Sequence, residues 1–572
     1  MQPIRDFLTR VNITGLNIDS YIQSDKVDAL PNIGIAVSGG GYRAMLNGAG
    51  AIAAFDNHTP NSNGSGQLGG LLQSATYLAG LSGGSWLLGS LYINNYTTIQ
   101  DVLNSDASGS LWQLSNSVLE GPGDNGLFQA LDSTEYYTTI LDQIEGKSNA
   151  GYNTTITDYW GRALSFQLIN ATDGGPSNTW STIANSSYFT SGSVPFPIVI
   201  ADGRVEGEID ISSNTTVFEF NPFEMGSFDP TLYGFAPLEY IGAQYSGGAL
   251  ANSDSCVIGY DSASFVMATS SSIFNELVIE LIDDNGIPSF FTEAIRALLS
   301  EYSEANIDLA IWDPNPFYGW NNESNPHASS SALTLVDGGE DDENIPFNPL
   351  IQPLRELDVI FAIDSSADNT YNWPNGSSLR ATYSRSLASG GIANGTAFPA
   401  VPDDNTFYNL GLNARPTFFG CNVSNQTGPT PLIVYLPNAP VSYFSNFSTV
   451  QLTYSNDQQY GILQNGYNVA TRGNGSLDSQ WPTCVGCAVL SRSLDRTKTS
   501  VPKVCQKCFE QYCWNGTLDT TPTTYEPNVT QLNAAAASSS SGGTGHKSAA
   551  FSQAVPMIFM VLLAGFASAF VL

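Results

Sequence analysis

Three short motifs hold the side chains able to do chemistry. Gly80-Leu81-Ser82-Gly83-Gly84 has the G-x-S-x-G form of a nucleophile elbow. In that turn small residues must flank a serine exposed at the apex between a strand and a helix. Upstream, Ile35-Ala-Val-Ser38-Gly39-Gly40-Gly41-Tyr42-Arg43-Ala44-Met45 runs a strand-like segment into three glycines and then a helix-like one. Free N–H groups at such a helix start favour an anion, either a phosphate or the oxyanion of an acyl-transfer intermediate. Downstream, Leu333-Thr-Leu-Val336-Asp337-Gly338-Gly339 sets a carboxylate at a strand end before a glycine turn. Within hydrogen-bond reach of Ser82, Asp337 could act as its general base.

Each motif has a rival. Gly39-x-Gly41-x-x-Ala44 also fits a relaxed dinucleotide fingerprint, with Asp56 near the ribose offset, but the export signals described below disfavour a nicotinamide cofactor. Asp364, in Phe361-Ala-Ile-Asp364, is a second carboxylate at a strand end. A histidine-based triad has little to draw on. Of three histidines, His546 lies in the tail, while His58 and His327 sit in loop-like sequence. A mechanism without imidazole is therefore expected. The acidic run Glu340–Glu343 does not match an EF-hand loop and is read as solvated.

The elements that must position these groups are short β-branched runs bounded by turn residues: Ile33–Val37, Phe196–Ala201, Leu333–Val336, Leu357–Ile363 and Pro431–Leu436. They read as buried strands. Tyr42–Phe55, Ser85–Ile93 and Phe274–Ile282 read as helices. The mixture predicts an α/β layer architecture with a largely parallel sheet and long insertions.

Composition narrows the setting. The 572 residues carry 19 Lys+Arg against 52 Asp+Glu, a net charge of −33, and are 42% hydrophobic. That excludes a basic nucleic-acid footprint and an intrinsically disordered chain. Self-repulsion of so acidic a surface eases as carboxylates protonate, which alone favours activity at mildly acid pH. Seventeen N-x-[ST] sequons start at Asn12, Asn57, Asn63, Asn95, Asn153, Asn170, Asn185, Asn214, Asn322, Asn375, Asn394, Asn422, Asn425, Asn446, Asn474, Asn515 and Asn528, the spread expected of a secreted glycoprotein.

The C-terminal end reads as small residues near Ser538–Gly543, a polar spacer and the apolar run Ala554–Leu572, the pattern of a GPI-attachment signal. A single transmembrane anchor is the alternative. Met1–Arg10 holds no apolar signal-peptide core, so the chain is expected to begin late relative to the exported protein. Cys484-x-x-Cys487 and Cys505-x-x-Cys508 match zinc-ribbon spacing, but in an exported chain disulfides are expected instead. Seven cysteines leave one thiol over, whose partner is expected in the missing N-terminal segment.

Together, Ser38–Met45, Gly80–Trp86 and Leu335–Pro353 resemble, in order and spacing, the fungal lysophospholipase (phospholipase B) family, relatives of the cytosolic phospholipase A and patatin-like acyl hydrolases. The resemblance extends over most of residues 1–530. It implies a layered α/β acyl-hydrolase core with a mostly parallel sheet, helices on both faces and insertions forming a cap. With the C-terminal pattern, this gives a catalytic domain at 1–530, a Ser/Ala/Gly-rich stalk with the attachment region at 531–546, and an anchor signal at 547–572. It assigns Ser82 as nucleophile, Asp337 as base, Gly40 and Gly41 as oxyanion-hole amides and Arg43 as the ligand of the substrate phosphate. No cofactor or metal is implied, and no nucleic-acid or protein partner. The implied substrates are lysophospholipids and glycerophospholipids at a membrane or micelle surface, with acyl transfer as a second outcome. The implied location is the outer face of the plasma membrane or the cell wall, through a GPI anchor. The alternatives are an esterase of neutral lipids and a non-catalytic cell-surface mannoprotein.

Overall fold

A computed structural model describes residues 1–530 apart from 24, 104–110, 122–132, 210, 253–255, 282–286, 301–307, 390–392, 423–427 and 429. The expected stalk and anchor signal, and the sequon at Asn425, lie outside the described residues.

Thirteen strands are found among the described residues. They are β1 (Ile33–Val37), β2 (Tyr77–Gly80), β3 (Phe196–Gly203), β4 (Val217–Phe220), β5 (Glu224–Ser227), β6 (Gly234–Pro237), β7 (Tyr245–Ser246), β8 (Ala249–Leu250), β9 (Ala310–Trp312), β10 (Leu333–Asp337), β11 (Val359–Asp364), β12 (Thr417–Phe419) and β13 (Leu432–Pro437). Eleven join one sheet in the order β12-β13-β11-β1-β2-β3-β4-β5-β6, with β10 also on β3 and β9 on β10. The five central strands, β13 to β3, are parallel, and antiparallel strands flank them on both sides.

Why these runs form central strands is visible in their burial. Every residue of β1 and β11 is buried. Ile33, Ile35 and Val37 pack into one core with Val359, Phe361 and Ile363, while Ala36, Ile360 and Ala362 face a second core. Such two-sided burial needs near-continuous apolar sequence and helices over the faces. The helix Gly41–Phe55 is buried along its whole length, as is Gly83–Tyr92 of the helix Gly83–Ile93.

Six cysteines pair. Cys484–Cys508 and Cys487–Cys505 staple the antiparallel helices Trp481–Arg496 and Lys503–Tyr512, and Cys421–Cys513 ties the latter's end to the chain after β12. The zinc-like spacing is thus i, i+3 on two facing helices, and Cys256 is left unpaired and exposed. Of the described sequons only Asn375 is buried, at 5% exposure, with its carboxamide oxygen accepting from the Ser377 N–H and hydroxyl.

Candidate active site

Sheet register brings the serine and the aspartate together. Gly80 pairs with Val199 on β3, so Ser82, two residues further on, comes level with Ala201. Ala201 also pairs with Asp337, on the same edge of β3 beyond the end of β2, since β4 holds the opposite edge. The two motifs, far apart in sequence, therefore meet along one edge of β3 at its carboxyl end, where open α/β sheets place their sites.

The elbow is built as its glycines require. Ser82 sits at φ 48°, ψ −123°, a left-handed conformation costly for a residue with a side chain, and caps the helix Gly83–Ile93. A Cβ at Gly84 would overlap the Val37 carbonyl, and one at Gly80 would meet the Gly84 carbonyl oxygen at 2.7 Å. Ser82 is 3% exposed, and its N–H donates to both the carbonyl (2.9 Å) and hydroxyl (3.0 Å) of Ser270.

Asp337 is held through its own backbone. Its N–H donates to the Ser272 hydroxyl at 3.0 Å, and its Oδ1 accepts from the Gly339 N–H at 3.0 Å. Oδ2 is buried and has no fully formed hydrogen bond among the described residues. The Ser82 hydroxyl nevertheless acts to lower the pKa of this carboxyl. Burial dominates, and it pushes the Asp337 pKa up to about 7 against the bonds from Gly339 and Ser82. A base must be ionised to accept a proton, so this group works above that value and fails below it. That reverses the slope expected from net charge alone.

The glycine cradle faces the elbow. Gly40 (φ 127°) and Gly41 (φ 61°) start the buried helix Gly41–Phe55. Neither N–H donates to a backbone carbonyl of the described residues, and neither does that of Gly83. Three amides at two helix starts are thus free to bind negative charge. A Cβ on Gly83 would overlap the Gly41 carbonyl, so the two helix starts touch. A Cβ on Gly41 would overlap the Thr449 carbonyl oxygen and come within 3.1 Å of the Phe274 ring. We expect Gly41→Ala to cut kcat by roughly a hundredfold or more, the cost of displacing one oxyanion donor. Steady-state assay beside a thermal melt checks this, since a fall in kcat larger than any loss of folded protein at the assay temperature locates the effect in the cradle.

Arg43 is wholly buried. Nε donates to the Ser365 carbonyl (2.8 Å), and Nη1 donates to the Phe447 carbonyl (2.5 Å) and the Thr449 hydroxyl (3.1 Å). Nη2 has no partner among the described residues. Burial lowers the Arg43 pKa to about 10 against the pull of Tyr454, Asp368 and Asp364, so it stays cationic at neutral pH.

The rival groups are engaged elsewhere. Asp364 accepts from the Tyr435 hydroxyl and from the N–H and hydroxyl of Ser366, and it is fully buried. Asp56 is buried, and its Oδ1 accepts from the His58 backbone N–H and from Gln73. His327 is buried against Phe218, with burial lowering its pKa to about 4.

Sequence reasoning missed the groups that hold the site. Ser270 and Ser272 fix the nucleophile and the base from one serine run. Asn344 accepts the Gly39 N–H with its carbonyl and donates from its carboxamide to the Ser366 hydroxyl at 2.8 Å. Asn344 lies in the segment Leu335–Pro353 that carries the resemblance, but its type did not single it out. The serine run carried no signal.

A family model described as lysophospholipase catalytic domain matches residues 33–519. Lysophospholipase 1 of Aspergillus fumigatus is 58% identical over 536 residues, covering 93% of this chain and 84% of its own. A lysophospholipase of Penicillium chrysogenum is 55% identical over 530 residues, covering 92% and 86%. The solved structure of human GIVD cytosolic phospholipase A2 superposes with a TM-score of 0.62 at 18% identity, over 87% of this chain and 66% of that one, which is a likeness of fold.

Proposed function

From the premise that this chain belongs to the lysophospholipase catalytic-domain family, and so is a carboxylic ester hydrolase, we propose that it cleaves fatty acyl esters of lysophospholipids and glycerophospholipids through a Ser82–Asp337 dyad. The observation that carries the reading is the shared register level of Ser82 and Asp337, with Oδ2 of the base left for the serine.

In the mechanism, Asp337 takes the Ser82 proton as Oγ attacks the acyl carbonyl. The amides of Gly40 and Gly41, with that of Gly83 beside them, receive the oxyanion. Protonated Asp337 returns its proton to the departing alcohol, leaving an acyl-serine. Water, activated by the same carboxylate, releases the fatty acid. A second lysophospholipid taking the place of water receives the acyl group instead, which is the transacylase outcome. Arg43 offers its unpartnered Nη2 to the substrate phosphate. The sequons, the paired cysteines and the C-terminal apolar run support an exported, glycosylated protein held by a GPI anchor.

Fatty acid release from lysophosphatidylcholine against a triacylglycerol tests the reading. Faster turnover of the phospholipid supports it, and preference for the triacylglycerol favours an esterase of neutral lipids. In the same pair of assays Arg43→Lys is expected to lower kcat/KM for the phospholipid about tenfold more than for the neutral ester, because lysine lacks the planar fork. Equal losses would mean that Arg43 only braces the cradle.

A further inference from the structure

Two exposed aliphatic residues stand at the roof of the glycine cradle. The roof is made where two segments converge on Gly41: Phe274 and the Thr449 carbonyl both come within contact of the space beside its Cα. Immediately before Phe274, Ile273 is 48% exposed, and immediately after Thr449, Val450 is 56% exposed. Each segment is also tied to the site below, since Ser272 holds Asp337 and Thr449 holds Arg43.

The charge pattern sets these segments apart. In a chain with 71 formally charged side chains, none falls between Ser262 and Asn275, and none between Pro416 and Asn456. The two segments that make the cradle roof therefore carry no charge of their own on a protein of net charge −33. Exposed aliphatic groups on uncharged segments suit insertion at a lipid–water boundary, and the negative net charge repels anionic headgroups.

We infer that Ile273 and Val450 form a docking rim that seats the cradle on a surface of electrically neutral, zwitterionic lipid. The proposal rests on the hydrolase reading above and names the surface from which that site draws its substrate. The acyl ester then reaches Ser82 along the rim without passing through bulk water, consistent with a nucleophile only 3% exposed.

The test separates docking from turnover. Protein carrying Ser82→Ala, so that vesicles stay intact, is sedimented with phosphatidylcholine vesicles. Adding Ile273→Asp and Val450→Asp together is expected to weaken binding roughly tenfold or more. Val27→Asp, a charge added at another exposed aliphatic residue, serves as the control and is expected to bind as before. Ile273→Ser with Val450→Ser provides a milder pair, and a circular-dichroism melt confirms that each protein is folded. With Ser82 intact, the ratio of vesicle turnover to turnover of a monomeric short-chain ester should fall by a similar factor in the double variant. Unchanged binding by both folded pairs overturns the inference, as does tighter binding to phosphatidylserine than to phosphatidylcholine. If the wild type hydrolyses neither ester, the hydrolase reading fails first, and the sedimentation result still decides the rim.

Discussion

Ser82→Ala protein should release fatty acid from lysophosphatidylcholine at a rate lower by about 10⁶-fold, the scale seen when a serine hydrolase loses its nucleophile. The residual rate would come from the cradle and from substrate positioning. The substitution removes one hydroxyl and leaves the fold in place. The Ser82 N–H remains on Ser270, and alanine retains the Cβ that the elbow already accommodates. A melt matching the wild type, with activity at the background of the assay, is the expected pair of results. Retained activity would move the chemistry to another residue.

Asp337→Asn separates catalysis from stability. We expect activity to fall by about 10³- to 10⁴-fold, because an amide cannot take the serine proton. Stability should move the other way. Burial raises the native pKa of Asp337 to about 7 from an ordinary value of 3.8, so the folded protein resists ionising this group while the unfolded chain does not. A raised native pKa favours folding fully below pH 4, and that advantage is lost as pH climbs through 7. Above that point the ionised carboxylate costs on the order of 4 kcal/mol at most. The neutral amide of the Asp337→Asn protein would carry no such cost, so the variant should melt higher than wild type at pH 8, with the difference shrinking toward pH 4. The same ionisation gives wild-type kcat/KM an acid limb, rising with pH to a plateau above about 7. A rate profile already falling between pH 6 and 8 would contradict Asp337 as the base, and equal melts at pH 8 would contradict its burial as a charge.

Much of the core was legible in the chain because its physics is local. β1 was read at its observed bounds, and β3, β10, β11 and β13 to within two residues at either end, because strands buried on both faces must be short, apolar and bounded by turns. The helices after Gly40 and Ser82 followed from glycine turns running into apolar sequence. The flanking antiparallel strands were less legible. β6 contains Gly234 and Pro237, which sequence logic reads as turn, and β4 and β5 span four residues each.

At the site, Ser82, Asp337, Gly40, Gly41 and Arg43 could be named because each sits in a motif with a demanding backbone. Their supports could not. Ser270, Ser272, Asn344 and Thr449 reach the site through tertiary packing, and nothing in their neighbours' types announces it. Arg43 illustrates the difference between naming a residue and knowing its surroundings. The motif singled it out, but only the structure shows three of its donor contacts spent on Ser365, Phe447 and Thr449 while Nη2 is left over.

The central claim is that Asp337 activates Ser82, and the most direct measurement is the rate at which a long-chain fluorophosphonate labels the protein, with the adduct located by peptide mass spectrometry. The account predicts one adduct, on Ser82, formed at a rate that rises with pH through about 7 and drops more than a hundredfold in Asp337→Asn. An adduct on a different serine, or labelling of Ser82 at the same rate without the carboxylate, would contradict it.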